Sequence, residues 1–172
     1  VDHRIVTLEQ RYEDEFVTCY DLNSGGDLWQ HAYPAAFDEA AGGRGPRSTP
    51  LITDDGKVFT TGALGDVCCL NLAGGALNWQ VNVLERHDLK CVTWGLASSP
   101  LIWEDFLIVN VGGPEGKGLV ALDRDSGDEV WVGEGVSVPH GADYENRAGY
   151  STPMVATIAG VEFIIHLDGE GL

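Results

Sequence analysis

Short apolar runs separated by turn residues recur along the whole chain. In two successive segments the runs lie at 50–53, 57–61, 67–72 and 77–83, and at 101–103, 106–111, 119–122 and 129–132. Asp54-Asp55-Gly56 and Ala73-Gly74-Gly75 separate two of the pairs, which is typical of strands joined by hairpins. No stretch keeps a 3.6-residue apolar spacing over helical length. The pattern therefore predicts four short strands per segment and no substantial helix.

One eleven-residue motif occurs three times without gaps. It has a small residue at position 1, Asp or Asn at position 3, Gly at position 7 and Trp at position 11. The last three of these positions are Asp21, Gly25 and Trp29, then Asn71, Gly75 and Trp79, then Asp123, Gly127 and Trp131. Successive tryptophans are 50 and 52 residues apart. Four strands at this period are the signature of a β-propeller blade.

Each position of the motif has a physical reason. Glycine closes a tight turn at a positive φ that a Cβ would resist. Asp or Asn accepts hydrogen bonds from the backbone amides of the turn. Because a blade cannot bury its own faces, we expect the large indole to pack against the next blade.

A second motif, the Ser/Thr-x-Pro anchor, recurs in register with the eleven-residue motif. Ser48-Thr49-Pro50, Ser98-Ser99-Pro100 and Ser151-Thr152-Pro153 each precede an apolar run, 21 or 22 residues after the motif's Trp. The two motifs divide residues 1–172, which are part of a single propeller domain, into repeats at 1–33 (partial), 48–83, 98–133 and 151–172 (partial). A closed propeller has typically 4–8 blades. We therefore expect further blades outside this sequence; the alternative is that a second copy closes the ring.

The motif resembles the tryptophan-docking repeat of the quinoprotein, or PQQ-like, β-propeller family, A-x-D-x-x-x-G-x-x-x-W. Cys19 and Cys69 replace its Ala and Asn71 replaces its Asp, with little change in size. The resemblance implies an all-β fold, here an incomplete arc of a little over three four-stranded antiparallel blades. The family includes PQQ-dependent alcohol dehydrogenases and BamB, a non-enzymatic propeller lipoprotein of the outer-membrane assembly machine.

The resemblance also indicates where a functional site would lie. In this family the segment after each Trp crosses one end of the propeller to the innermost strand of the next blade. The loops before each Ser/Thr-x-Pro anchor then meet at the mouth of the central channel. The candidate site residues in these loops are Arg44, Arg47, Trp94, Glu145, Arg147 and Tyr150. They would bind a protein partner or a small ligand; alternatively, the arginines only hold loop carbonyls and acidic neighbours.

Charge narrows the classes of partner. The formal net charge is −17, and no basic stripe offsets it, so the chain is not expected to bind nucleic acid or an anionic membrane surface. The acidic surface keeps the protein in solution or, alternatively, meets a basic partner or a cation. No run of 18 apolar residues predicts a membrane-spanning segment.

Metal and cofactor signals are weak. The histidines at 3, 31, 87, 140 and 166 lack metal-ligand spacing, and Asp123–Asp128 lacks the downstream Glu of a calcium loop. PQQ-dependent alcohol dehydrogenases carry a vicinal disulfide beside the quinone, which draws attention to Cys68 and Cys69. Adjacent strand residues point to opposite faces, so buried free thiols are expected instead. We expect neither a metal nor a cofactor.

Two functional hypotheses follow. The first is a binding or scaffold propeller without chemistry of its own, because no catalytic set is recognisable. The second is a fragment of a quinoprotein dehydrogenase, which would bind PQQ with Ca²⁺ at the channel mouth. The first is preferred, since the dehydrogenase ligands do not map onto this sequence. By resemblance alone, both imply a periplasmic or extracellular protein.

Overall fold

The protein forms a row of antiparallel β-sheets. The computed structural model describes residues 3–114, 117–133 and 148–169. The first sheet has three strands: β1 (Arg4–Arg11), β2 (Asp14–Asp21) and β3 (Asp27–Pro34). The loop after it contains a small hairpin of β4 (Asp38–Glu39) and β5 (Gly43–Arg44).

Two four-stranded sheets and one further hairpin follow. The second sheet consists of β6 (Leu51–Ile52), β7 (Lys57–Thr61), β8 (Asp66–Asn71) and β9 (Leu77–Asn82). The third consists of β10 (Leu101–Trp103), β11 (Phe106–Asn110), β12 (Leu119–Asp123) and β13 (Glu129–Val132). The last pair is β14 (Met154–Ile158) and β15 (Val161–Ile165). Neighbours in sequence pair antiparallel in every sheet, so the incomplete propeller of four-stranded sheets predicted from the repeat is confirmed.

A single helical turn, α1 (Val83–Arg86), follows the outer strand of the second sheet. The side chain of Asn82 caps it by accepting from the amides of Leu84 and Glu85, at 3.1 and 2.9 Å. Val83 and Leu84 are buried. The turn has no apolar periodicity of its own, because it is too short to show one, and the sequence did not indicate it.

Two apolar clusters join the three sheets face to face. The first, between the first and second sheets, contains Val17, Tyr33, Ala35, Val58, Cys68, Leu70 and Leu72. The second, between the second and third sheets, is built around Phe59, Val67, Cys69, Trp79, Leu107, Val109, Val120 and Leu122. Alternate residues of β8 enter different clusters, because successive side chains of a strand point to opposite faces.

An indole ring docks on the next sheet at both of these junctions. A Cβ built on Gly75 would lie 2.5 Å from Trp29, and one built on Gly127 would lie 2.7 Å from Trp79. The indole N–H groups donate to Leu72 O at 2.8 Å and to Arg124 O at 3.2 Å. The motif glycine therefore has a second function that the sequence did not reveal. Because it has no side chain, it leaves a space, which we call the indole seat, where the tryptophan of the preceding blade packs.

The polar positions of the motif act as expected. Asp21 and Asp123 each accept two backbone amides of their turn, at 2.8–3.1 Å, and Asn71 accepts the amide of Ala73 at 2.9 Å. The turn glycines Gly25 and Gly127 have φ of +69° and +76°. These contacts stay within one hairpin, which is why the local sequence predicts them.

The Ser/Thr-x-Pro anchors link successive sheets along their first strands. The backbone N–H of Thr49 donates to Ser99 Oγ at 2.8 Å, and that of Ser99 donates to Thr152 Oγ1 at 3.1 Å. The same bond therefore occurs between the second and third sheets and between the third sheet and the β14–β15 hairpin, from residues at equivalent positions of the repeat. It brings the first strands β6, β10 and β14 close together, so these strands form the inner side of the arc.

Candidate functional site

The loops that precede the three anchors meet at one end of the arc. The guanidinium of Arg47 donates to the carbonyl of Trp94, and the amide of Trp94 donates to the hydroxyl of Tyr150 at 3.3 Å. Three of the six residues predicted for the channel mouth are therefore in direct contact, one from each loop.

Phe37 lies beneath these residues. Its ring is 5.1 Å from the guanidinium carbon of Arg47, a cation–π geometry, and only 8% of Phe37 is exposed. Its amide donates to Gln10 Oε1 at 2.9 Å, which ties the loop to β1. We refer to Phe37, Arg47, Trp94 and Tyr150 as the mouth cluster. Phe37 was missed in the sequence because a single apolar loop residue gives no signal of its position.

Arg44, the fourth predicted residue that the structure describes, is not part of this cluster. Arg44 lies in β5, and its guanidinium is 3.6 Å from Glu13 and 3.5 Å from Asp38, with half of the side chain exposed. This fits the alternative prediction that an arginine holds acidic neighbours. Glu145 and Arg147 lie outside the described residues.

Trp94 combines exposure with a fixed backbone. It is 40% exposed, although both polar groups of its backbone are bonded to side chains of other loops. Arg47 also donates to Gly43 O at 3.2 Å, so its own position is set. The site therefore presents a large amphipathic ring without the ordering cost of a free loop.

The segment that carries Tyr150 is anchored by a buried amide. Asn110 Nδ2, at the end of β11, donates to Ser98 Oγ and to Gly149 O, both at 2.9 Å. Burial raises the pKa of Tyr150, so its hydroxyl stays protonated near neutral pH. A crevice behind it, lined by residues that include Val92, Asn110 and Ala148, leaves no room for a water molecule. A ligand would therefore lie over the cluster rather than behind it.

One buried carboxyl lies close to this region and was not indicated by the sequence. Glu15, in β2, is fully buried and accepts from the hydroxyl of Tyr33 at 2.7 Å and from the amide of Ala63 at 3.0 Å. Burial raises the pKa of Glu15, and the nearby Asp66 acts in the same direction. Because Glu15 aligns with Gly65 and Lys117 in the other repeats, the periodic pattern could not identify it.

The cysteines and acidic residues give no sign of a redox or metal site in the described part of the chain. All four cysteines are free thiols, and Cys68 and Cys69 enter the apolar clusters on opposite faces of β8. Burial raises the pKa of both thiols. The described residues contain no group of three or more His, Cys, Asp or Glu placed to hold a metal ion. Among the same residues, no helix is long and apolar enough to cross a membrane.

Solved structures share this fold at low sequence identity. BamB from Moraxella catarrhalis is 22% identical, with a TM-score of 0.53 over 88% of this chain and 37% of that one. A europium-containing methanol dehydrogenase is 22% identical, with a TM-score of 0.55 over 77% and 23%. A quinohemoprotein alcohol dehydrogenase from Comamonas testosteroni is 21% identical, with a TM-score of 0.54 over 77% and 19%.

The matches cover most of this chain but only a part of each relative. The chain spans 19–37% of the length of these three structures. No curated protein matches it in sequence. A family model described as outer membrane protein assembly factor BamB matches residues 13–171. The three-fold Asp/Asn–Gly–Trp motif and the docked indoles agree with that match, and the chain belongs to this family of PQQ-like repeat β-propellers.

Proposed function

We propose that this chain is part of a non-catalytic binding propeller whose mouth cluster takes a protein partner or a small ligand. The observation that carries the proposal is the exposed side chain of Trp94, whose backbone is held by Arg47 and Tyr150 from two other loops. Rigid aromatic and arginine side chains contribute most of the binding energy at many interfaces. Here both residue types are adjacent, and their backbone and ring contacts are in place before a partner arrives.

A protein partner is the preferred occupant. Among the described residues, Trp94 is 40% exposed and the crevice behind Tyr150 leaves no room for a water molecule, so this part of the site lacks the enclosed volume that small-molecule sites usually have. The family description names an assembly factor, a role that depends on contacts with other proteins. The remaining blades would complete the ring around the site, and a position in the periplasm or outside the cell follows from the family alone.

The alternative, a fragment of a PQQ-dependent dehydrogenase, has less support in the described residues. The vicinal cysteines point away from each other into two apolar clusters, which does not fit a disulfide beside a quinone. No group of acidic side chains within the described ranges is placed to bind Ca²⁺. The described residues therefore lend no support to a site for PQQ and Ca²⁺, and we assign no chemical step to them.

Titration of the full-length protein with PQQ and Ca²⁺ separates the two functions. We expect no quinone absorbance to remain with the protein through gel filtration, and no dye reduction when alcohols are added. Stoichiometric retention of the quinone would favour the dehydrogenase and contradict the binding module.

Replacement of Trp94 by a photo-crosslinking amino acid is expected to capture one protein in the cells that make this chain. The control position is Tyr12, which is 87% exposed on the turn between β1 and β2 and should capture nothing specific. With the captured protein purified, Trp94→Ala should weaken binding by about 2 kcal/mol, or about thirtyfold in Kd, while Tyr12→Ala leaves Kd unchanged. Equal capture at both positions, or an unchanged Kd for Trp94→Ala, would contradict the proposal.

A further inference from the structure

Glu15 is enclosed by a turn of the neighbouring sheet. The turn after β7 places Gly62 against the carboxyl, where an added Cβ would lie 2.3 Å from Glu15 Oε2 and 2.7 Å from the hydroxyl of Tyr33. The next residue, Ala63, donates its amide to Glu15 Oε1 at 3.0 Å. The carboxyl therefore crosses from the first sheet to the second and fits a space that only glycine leaves open.

Ala63 connects this carboxyl to the loop that carries Trp94. Its carbonyl accepts from the amide of Leu96 at 2.9 Å and from the thiol of Cys91 at 3.4 Å. Its side chain lies beside Gly95, where an added Cβ would be 3.2 Å away. Ala63 thus holds the loop on both sides of Trp94, while its own amide is held by Glu15.

A buried carboxyl is costly, because it loses its hydration on folding. An apolar side chain of similar size would fill the same space without this cost, so packing alone does not account for Glu15. Its two donors, Tyr33 and Ala63, come from different sheets, and Ala63 contacts the loop that carries Trp94. The geometry indicates that the carboxyl fixes a backbone position rather than stabilises the core.

We infer that Glu15 is a positioning residue for the mouth cluster: through Ala63 it holds the loop 91–96 and so presets the orientation of Trp94. The second half of this inference, the preset orientation of Trp94, rests on the proposed function, because that orientation matters only if a partner binds at Trp94. The first half concerns only the loop and can be tested without a partner.

The test is hydrogen–deuterium exchange of the segment 92–97, with the strand segment 106–110 as an internal reference. Glu15→Met keeps the size of the side chain and removes the acceptor, so exchange at 92–97 should become about tenfold faster, because the anchor of Ala63 is lost. Exchange at 106–110 should stay unchanged. Glu15→Gln keeps an oxygen acceptor and should keep the protection of the wild type.

Tyr33→Phe is the matched control. It removes the other hydrogen bond of Glu15 from the same buried site but leaves the bond to Ala63, so protection at 92–97 should not change. If Glu15→Met does not fold, Glu15→Asp, which is one methylene shorter, tests the same link and should also expose the loop. Wild-type protection of the loop in folded Glu15→Met or Glu15→Asp overturns the inference, as does a uniform increase of exchange at 92–97 and 106–110 in these variants.

Binding measurements separate this inference from the proposed function. If the loop loosens in Glu15→Met and affinity for the captured protein falls while Tyr33→Phe binds normally, both stand. If Glu15→Met loosens the loop but Trp94→Ala does not affect binding, the proposed function fails and the loop-holding half of the inference stands. If Trp94→Ala abolishes binding while Glu15→Met leaves the loop protected, the inference fails and the proposed function stands.

Discussion

Replacing Trp79 by alanine is expected to lower the free energy of unfolding by about 3–5 kcal/mol, the range for truncating a large buried aromatic side chain. Trp79 is 9% exposed, packs 6.1 Å from the ring of Phe59 and donates its indole N–H to Arg124 O on the third sheet. The truncation removes both the packing and the hydrogen bond at a junction between two sheets. Urea denaturation followed by circular dichroism measures the loss.

Trp103→Ala is the control for this prediction. Trp103 ends β10, is only half-buried, and its indole N–H lies 3.5 Å from Glu162 rather than against a turn of another blade. Its removal should cost about 1 kcal/mol or less, as for a side chain outside the packed interior. If Trp79→Ala and Trp103→Ala lower the free energy of unfolding by similar amounts, the docked indole has no special part in joining the sheets.

Gly75→Ala is expected to destabilise the protein by about 2–5 kcal/mol, from two separate causes. Gly75 has a φ of +71°, where an L-residue costs about 1–2 kcal/mol. The new Cβ would also lie 2.5 Å from Trp29, and forcing a docked side chain aside costs about 1–3 kcal/mol more.

Gly56→Ala isolates the first of these causes. Gly56 lies in the turn between β6 and β7 of the same sheet, with a φ of +80°, and nothing lies within 4 Å of a Cβ built there. We expect it to cost only the conformational part, about 1–2 kcal/mol. Denaturation curves of the two variants therefore give the energy of the indole seat as a difference. If Gly56→Ala and Gly75→Ala are equally destabilised, the space around the indole of Trp29 is not as tight as the structure indicates.

The repeat allowed most of the fold to be predicted, because its determinants are local and occur three times. The turn contacts of Asp21 and Asp123 lie within three residues of sequence, and strand bounds at 57–61, 101–103 and 129–132 agree with the structure. What the local pattern did not indicate is the partner of each indole, since Trp29 and Gly75 are far apart in sequence. That contact requires the sheets to be placed against each other.

The candidate site was predictable only in part, and for a related reason. Trp94 and Tyr150 were found because they stand just before a repeated anchor, which places them at one end of the arc. Phe37, Glu15 and Ala63 occupy positions that the repeats do not share, and their contacts join segments far apart in sequence, such as Glu15 with Ala63 and Phe37 with Gly95. Contacts that occur at only one junction do not appear as a repeated pattern in a single sequence. The binding role of all six candidate residues, and the positions of Glu145 and Arg147, stay predictions.

The bond from a backbone amide to the hydroxyl of the next anchor affects how the number of repeats can evolve. Serine and threonine serve equally as the acceptor, and the donor is a main-chain group, so this bond does not depend on which neighbour a repeat meets. After a repeat is duplicated or deleted, the anchors on either side can form the same bond with their new neighbours. Duplication or deletion of repeats can therefore change the length of the row without the need for a new type of contact. Contacts that are not repeated, such as that of Glu15, distinguish one junction from another.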